Sequence, residues 1–430
     1  MTSLIRRLTT KDAVTIAISS MVGAGVFAAF GPAALAVHDT GHAWLLLAAL
    51  ALAAAVAFAN ATSSAQLAAQ YPVAGGTYVY GRERLGPWAG FMAGWGYVIG
   101  KTASCTAMAL TFAAHAVPDQ APSWTRRGVA AALVVAVAAV NYRGITRTVR
   151  VARWIVIFVL SALALTIALT WIGVVGGLAD APTLAPSAVT GSLGAVYGVL
   201  QAGGLLFFAF AGYARITSLG EEVINPRKAI PRAVVISFGI VAAIYALVAV
   251  TLLAVLGLDG TAYSTAPLAD AVELATSGTA WAAPLVRVAA TAASGGALLA
   301  LMAGVGRTIF AMAREHDLPG VFTAIHPRYS VPHKAEIALA GMIVVAVLTL
   351  DLRGAIGFSG FGVLIYYLVA NLSAWTQDRE YRLYPRALQA FGALGCATLA
   401  VMLPWPGVAI GTGILLLGAT GRALRLRRRI

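Results

Sequence analysis

Twelve apolar stretches of 15 to 34 residues constrain the fold of this chain more than any other feature. About 20 apolar residues in a helix cross the ~30 Å hydrocarbon core of a bilayer. Because 60% of the 430 residues are hydrophobic and 11% are charged, the pattern predicts an all-α polytopic membrane protein. We number the predicted spans one to twelve in chain order: 12–36, 43–70, 87–116, 128–142, 151–175, 194–222, 232–257, 279–312, 334–351, 354–376, 386–403 and 405–421.

Basic residues in the connecting segments predict the orientation of these spans. Of the 30 Lys and Arg residues, 24 lie in segments or near span ends on the side of the two termini, three lie in opposite loops and three lie elsewhere within spans. Cytoplasmic loops carry an excess of Lys and Arg. We therefore expect a plasma-membrane protein with both termini in the cytoplasm, and a basic tail at 422–430 that contacts anionic membrane lipids.

Composition and spacing argue against several other classes. The net charge of +14 is spread over short loops beside apolar spans, which argues against a nucleic-acid partner. Cys105 and Cys396 lie in apolar segments without a CxxC or His/Cys cluster, so we expect no disulfide framework, metal site or cofactor. The histidines lie in loops or at span ends without a catalytic motif, so we do not expect an enzyme. The sequence contains neither a repeated filter motif nor rings of charge, so it does not indicate a channel.

Glycines interrupt span one. Gly23 and Gly25 lie in its middle, and Gly31 and Pro32 follow. Since Gly is a poor helix former and Pro lacks a backbone donor, the helix is expected to open there and leave peptide groups unpaired. Lipid cannot satisfy such groups, which makes the stretch a candidate ligand site. The alternative is that these glycines only let another helix pack closely.

Span six carries a similar interruption. Aromatic residues at 207–210 precede Gly212, and Gly220 comes one short helix later. If five spans form one repeat, span six is the counterpart of span one, and paired interruptions of this kind indicate the substrate site of a transporter. The Pro-, Gly- and Tyr-rich segment 70–82 after span two is predicted to be a loop.

Four motifs, in this order, resemble those of amino acid permeases of the amino acid–polyamine–organocation (APC) superfamily. They are Met21-Val22-Gly23-Ala24-Gly25-Val26-Phe27; Tyr71-Pro72-x-Ala74-Gly75-Gly76-Thr77-Tyr78-x-Tyr80; Phe207-Phe208-Ala209-Phe210-Ala211-Gly212-Tyr213 with Asn225-Pro226-Arg227 and Ile230-Pro231-Arg232; and Gly306-Arg307-Thr308-Ile309-Phe310-Ala311-Met312-Ala313-Arg314 with Leu318-Pro319. The Gly-Glu-Glu-Val run at 220–223 is most similar to the cationic amino acid transporter branch.

The resemblance implies a single transmembrane domain, 1–430, with a LeuT-like fold. Segment 12–376 would form a five-plus-five inverted repeat of ten helices with discontinuous helices one and six, and 386–421 would add two accessory helices. It also implies a secondary active transporter that moves amino acids by alternating access, proton-coupled or exchanging rather than sodium-driven. The alternative is a transporter or exporter of polyamines or other organic amines with the same fold.

The resemblance and the chemistry of helix ends together assign a substrate site. Free N–H groups near Ala24, Gly25 and Val26 suit a carboxylate, and carbonyl groups before each break suit an ammonium. Phe207 or Phe210 is the candidate aromatic lid, unless these rings serve ordinary packing. The expected substrate-binding residues are Ile18, Ser19, Met21, Val22, Gly23, Ala24, Gly25, Val26, Phe207, Ala209, Phe210, Gly212 and Tyr213.

Lys101 is an intramembrane charge. It lies about fourteen residues from Pro87, or ~20 Å deep at 1.5 Å per residue, so it cannot easily reach either surface. Related permeases carry a lysine in span five near the family's sodium site, where this chain has the apolar stretch 155–160. We expect Lys101 either to supply that charge for proton coupling or to be a structural lysine bonded to carbonyl groups.

Further charged and polar residues near span six leave two questions open. If Arg215 faces the site, it would favour an acidic or neutral substrate, in contrast to the resemblance to the cationic branch. If it pairs with another residue, it gives no information about the substrate. Thr217 and Ser218 are further candidates for specificity. Arg6 or Arg7 could pair with Glu221 or Glu222 to close an inner gate.

Overall fold

The computed structural model describes residues 8–72, 75–118, 120–144, 148–177, 192–213, 215 and 223–427. Within these ranges the protein is almost entirely helical. Its longer helices are Thr10–Met21, Phe30–Val37, Trp44–Gln70, Thr77–Leu85, Pro87–Ala116, Ser123–Tyr142, Thr148–Val175, Ser192–Phe210, Pro226–Val255, Pro267–Ala275, Ala282–Arg314, His333–Thr349, Leu352–Trp375, Arg386–Met402 and Trp405–Arg427. Shorter helical segments are Ala24–Ala28, His38–Thr40, Gly257–Tyr263 and Gly320–Thr323.

Nine helical segments in these ranges are long and apolar enough to cross a membrane. They correspond to predicted spans one, two, four to eight, ten and twelve, with spans one and six represented by Thr10–Ala28 and Leu193–Phe210. The helices Pro87–Ala116, His333–Thr349 and Arg386–Met402 lie where spans three, nine and eleven were predicted. The prediction of a polytopic helical membrane protein is therefore confirmed, and the count of twelve spans stays a prediction.

The prediction of a loop over 70–82 was wrong in its second half, because a helix covers Thr77–Leu85. Gly75 and Gly76 have φ angles of +121° and +56°, conformations that L side chains rarely adopt, so these two residues form the turn that leads into the helix. The helix that follows buries Tyr78 and Tyr80. Tertiary burial of such aromatic faces supplies most of the stability of a short helix.

Glycines bring spans three and ten into backbone contact. A methyl group added at Gly100 would lie 2.8 Å from the backbone nitrogen of Val363, and one at Gly362 would lie 2.7 Å from Gly100. Small residues of this kind allow close packing of helices inside membranes. One turn further along, the hydroxyl groups of Ser104 and Ser359 are 2.6 Å apart, so a hydrogen bond joins the same two helices.

Charged side chains from three segments meet at one end of the bundle, which we call the basic end. Asp317, in the loop after span eight, is buried and accepts hydrogen bonds from Tyr78 Oη at 2.8 Å, Arg82 Nη1 at 3.0 Å and Arg422 Nε at 2.7 Å. The Arg422 guanidinium also lies 4.5 Å from the centroid of the Trp88 ring. The last helix is thereby tied to the connector after span two and to the loop after span eight.

Candidate functional site

The helix of span one is broken where the glycines predicted it. The first segment ends at Met21, Gly23 has the non-helical angles φ −119° and ψ −137°, and a new helix starts at Ala24. The Gly23 N–H turns back to the carbonyl of Met21 at 2.8 Å instead of reaching one turn further. Beyond the break the second half continues through Ala29 into Phe30–Val37.

Span six also ends its first helix where it was predicted to break. The helix Ser192–Phe210 is followed by a turn over Ala211, Gly212 and Tyr213. Arg215 N–H closes this turn on the carbonyl of Gly212 at 3.1 Å. The carbonyl of Ala211, which would have served the next helical turn, is left to side chains of other spans.

The two breaks lie directly against each other. A methyl group added at Gly25 would lie 2.6 Å from Ala209 Cα, and one added at Gly212 would overlap the carbonyl group of Ser20. Each break therefore needs a residue without a side chain at the point where it meets the other. Three helix ends, at Met21, Ala24 and Phe210, are thereby collected in one place inside the bundle, where helix ends can bind charged groups of a ligand.

Tyr245 of span seven bridges the two breaks. Its hydroxyl lies 2.7 Å from the carbonyl oxygen of Met21 and 3.0 Å from that of Ala209. Because a tyrosine hydroxyl has one proton, the two carbonyl groups share a single donor. The Met21 carbonyl also accepts from Gly23 N–H at 2.8 Å, so acceptor capacity remains mainly at the Ala209 carbonyl.

Lys101 reaches the break in span six. Its side chain is 7% exposed, and its Nζ donates to the carbonyl of Ala211 at 3.2 Å. The hydroxyl of Tyr367 in span ten approaches the same oxygen at 3.4 Å. The one cation of span three is thus held by a peptide group that the helix break has freed.

A model of the amino acid permease family matches residues 8–419. The chain belongs to the amino acid permease family. A protein named an uncharacterized transporter in Mycobacterium tuberculosis is 48% identical over 422 residues, which are 98% of this chain and 92% of that protein. Branched-chain amino acid permease BcaP of Bacillus subtilis is 25% identical over 93% of this chain and 87% of its own length. Human cationic amino acid transporter 4 is 28% identical over 85% of this chain and 59% of its own length.

The aromatic residues of span six in this permease pack inside the bundle. Phe210, the candidate lid, is fully buried and stacks on Phe238 with ring centroids 5.4 Å apart. Phe207 and Tyr213 both lie against Tyr367, with centroid separations of 5.8 and 5.0 Å. In this arrangement the three rings form part of the wall around the break, and the role of lid stays a prediction.

The structure brings most of the predicted substrate-binding residues of the permease together at the two breaks. Ile18 and Ser19 are half-buried, and the Ser19 hydroxyl donates to the carbonyl of Ile16 at 2.8 Å. Arg215 is exposed. The other predicted residues of span one are all buried: Met21, Val22, Gly23, Ala24, Gly25 and Val26. Candidates that lie outside the described residues are Arg6, Arg7, Thr217, Ser218, Glu221 and Glu222.

Sequence reasoning missed two residues of this site. Tyr245 lies in the middle of an apolar span, where a hydroxyl group needs a partner, and this was an available signal. Tyr367 follows Tyr366 in span ten, a polar pair at membrane depth that was likewise visible in the sequence. Which carbonyl groups these hydroxyls reach depends on contacts between distant spans, so their partners could not have been predicted from local pattern.

Proposed function

We propose that this permease is a secondary active transporter that moves amino acids across the plasma membrane by alternating access. The observation that carries the proposal is the direct contact of the two helix breaks, Gly25 against Ala209 and Gly212 against Ser20. Paired broken helices at corresponding positions are a recurrent substrate site of transporters with inverted repeats. The names of the relatives, which include permeases for branched-chain and cationic amino acids, support an amino acid as the substrate class.

Backbone groups would recognise the part of the substrate that amino acids share. Free N–H groups near Ala24, Gly25 and Val26 would bind the carboxylate, because they begin the second half of span one and carry the positive end of its dipole. Carbonyl groups near Ala209 and Phe210 would accept from the ammonium. The Ala209 oxygen has capacity for this bond, since its only described donor is the shared hydroxyl of Tyr245.

The burial of these groups supports the proposal of alternating access. Every residue from 21 to 30 is buried, so a solute reaches the break only if the surrounding helices separate. A transporter exposes such a site to one side of the membrane at a time. The ion pairs of Asp317 with Arg82 and Arg422 at the basic end would either stay formed or break when the helices separate.

The proposed topology places both termini in the cytoplasm and twelve helices in the membrane. The helices Pro87–Ala116, His333–Thr349 and Arg386–Met402 would complete the set of spans. The first ten would form the five-plus-five inverted repeat, with the last two as accessory helices. The basic residues at one end of the bundle support this orientation.

Lys101 is the proposed coupling residue, with protons rather than sodium as the coupling ion. It holds the carbonyl of Ala211, so loss of its proton would release one contact at the break in span six. The stretch 155–160 of span five is apolar, and Ile155 packs within 3.2 Å of the position a methyl group would take at Gly296 of span eight. Oxygen ligands, which sodium requires, are not offered by those side chains.

The substrate site is tested by thermal unfolding of the purified permease in the presence of each amino acid and of common polyamines. A ligand that binds only the folded protein raises the unfolding temperature with its occupancy. We expect one class of amino acid to do so, and to exchange across proteoliposome membranes when present on both sides.

Gly25→Val should abolish stabilisation and exchange, because the new side chain would overlap Ala209. Gly239→Val is the matched control, since a methyl group at Gly239 meets nothing within 4 Å. Stabilisation by polyamines alone would replace amino acids by organic amines as the substrate class. Equal transport by Gly25→Val and Gly239→Val would refute the site.

The coupling role is tested separately by uptake at a series of external pH values. Lys101→Ala should lose the dependence of uptake on the proton gradient while retaining counterflow, which needs no coupling ion. An unfolded Lys101→Ala variant would show no counterflow and could not test the coupling role. Lys101→Met, which keeps most of the apolar stem, is therefore the second variant. Full pH dependence in a folded Lys101 variant would refute the coupling role.

A further inference from the structure

An open cleft lies between spans four and nine, at the basic end of the bundle. Its volume is about 550 Å³, within the ~300–1,000 Å³ of small-molecule sites. No described residue of spans one or six lines it, so it is separate from the two helix breaks. Its walls are formed by Val135, Ala138, Ala139, Tyr142, Arg143, Tyr329, Glu336, Ile337 and Ala340.

Glu336 gives the cleft a buried acidic group. Its side chain is 4% exposed, and its Oε2 is buried without a hydrogen-bond partner. Its carboxyl carbon would lie 2.9 Å from a methyl group at Gly306, so span eight closes the side away from the cleft. Among the described residues, neither Lys334 nor Arg307 forms an ion pair with it. Burying a carboxylate without a partner is costly, so this group calls for a donor from within the cleft.

The mouth of the cleft offers complementary groups. Arg143 is exposed at the end of span four, where it can bind an anion. The rings of Tyr142 and Tyr329 stand edge to face, 6.1 Å apart, and line the cleft, with the Arg328 guanidinium 5.5 Å from the centroid of the Tyr329 ring. Acidic, aromatic and basic groups therefore follow one another from the inner wall to the mouth.

The remaining wall is apolar and faces outward. Val135 and Ile337 are each 59% exposed, Val135 on a helix long and apolar enough to cross a membrane and Ile337 on the helix proposed as span nine, so both side chains would lie against acyl chains. From Val135 to Tyr142 span four rises by about 10 Å, a distance that joins the headgroup level to the upper acyl chains. A ligand that fills the whole cleft therefore needs a polar end and an apolar end.

We propose that this cleft binds a phospholipid whose headgroup carries a primary ammonium, such as phosphatidylethanolamine. The ammonium donates to Glu336, the phosphate pairs with Arg143, and an acyl chain follows Val135 and Ile337. A trimethylated headgroup cannot replace it, since its nitrogen has no proton to give to the carboxylate. The lipid would bear on span eight through the contact of Glu336 with Gly306.

The test is thermal unfolding of the delipidated permease in detergent, with phosphatidylethanolamine, phosphatidylcholine or phosphatidylglycerol added. We expect half-maximal stabilisation at an about tenfold lower concentration of phosphatidylethanolamine than of phosphatidylcholine, the ratio that one hydrogen bond to a charged group supplies. Glu336→Gln should remove this preference. Glu380→Gln, an exposed acidic residue outside the cleft, is the matched control and should keep it.

Two further arms separate the outcomes. Ethanolamine and phosphoethanolamine are titrated in parallel. Stabilisation by either compound at the concentrations at which the lipid acts would assign the cleft to free amines and refute the proposal that it binds a lipid. Ala340→Phe fills the cleft without touching the charge of Glu336, and it should also abolish the preference if Glu336→Gln fails to fold. Equal stabilisation by the two zwitterionic lipids, or a preference that survives in folded Glu336→Gln or Ala340→Phe, contradicts the proposal.

Discussion

Asp317→Asn is expected to loosen the attachment of the last helix at the basic end. The amide has the shape of the carboxylate but no charge, so the two arginines that donate to Asp317 lose their common counter-ion. Arg82 keeps Glu315 at 3.2 Å, whereas Arg422, whose side chain is 6% exposed, forms no other ion pair in the described part of the chain. The loss should therefore fall mainly on Arg422.

The expected cost is about 3 kcal/mol. Removing one partner of a buried ion pair costs ~3–5 kcal/mol, because the other charge is left buried. The lower end applies here, since the Arg422 guanidinium retains the faces of Trp88 and Phe91 at 4.5 and 5.1 Å. Adding Arg422→Met to Asp317→Asn should restore part of the loss, because the stranded charge is then gone.

Unfolding in mixed micelles, followed by tryptophan fluorescence, measures these free energies. Asp378→Asn is the control, since its pair with Arg84 at 3.3 Å is exposed on the aspartate side and should contribute less than about 1 kcal/mol. The double-mutant cycle over Asp317 and Arg422 should show a coupling energy of ~0.5–3 kcal/mol. Purely additive effects, or an equal loss in Asp317→Asn and Asp378→Asn, would refute the reasoning.

Three further changes test the helix breaks and the basic end. Gly212→Ala should abolish uptake into proteoliposomes through a steric overlap at the breaks, whereas Gly239→Ala, in open space, should transport like the wild type. Tyr245→Phe should lower the free energy of unfolding by ~1–3 kcal/mol in mixed micelles, because two buried carbonyl groups lose the hydroxyl that they share; an unchanged value would contradict the bridge. Burial and the hydrogen bond to Asp317 raise the pKa of Tyr78 in the folded protein. The Tyr78 hydroxyl therefore makes its full contribution to the free energy of unfolding below pH ~10 and loses it as the pH rises further. The stability advantage of the wild type over Tyr78→Phe should therefore shrink in alkaline unfolding titrations, and a constant advantage would contradict it.

The course of the helices could be predicted from the sequence because it depends on local properties. Apolar length marked the spans, and the conformational preference of glycine marked the breaks near Gly23 and Gly212. The same reasoning was wrong at the connector, where it counted turn residues in Thr77–Leu85 and overlooked the burial of Tyr78 and Tyr80. Local preference yields to burial in such short segments.

The partners of the site residues could not be predicted, because they come from distant parts of the chain. Lys101 was recognised as an intramembrane cation, but its bond to Ala211 spans 110 positions of sequence. Tyr245 reaches Met21 over 224 positions. Asp317 gave no signal at all, since an acidic residue in a polar loop normally lies in solvent. Such contacts depend on how the helices cross, which periodicity and composition do not specify.

The burial of both cysteines makes this chain convenient for labelling. Cys105 and Cys396 are free thiols with no accessible surface. A membrane-impermeant maleimide should therefore react only where a cysteine has been introduced, and the natural sequence can serve as the background for mapping which loops face each side. Pairs of spin labels on the loop after span eight and on the last helix would then report directly whether that end of the bundle opens during turnover.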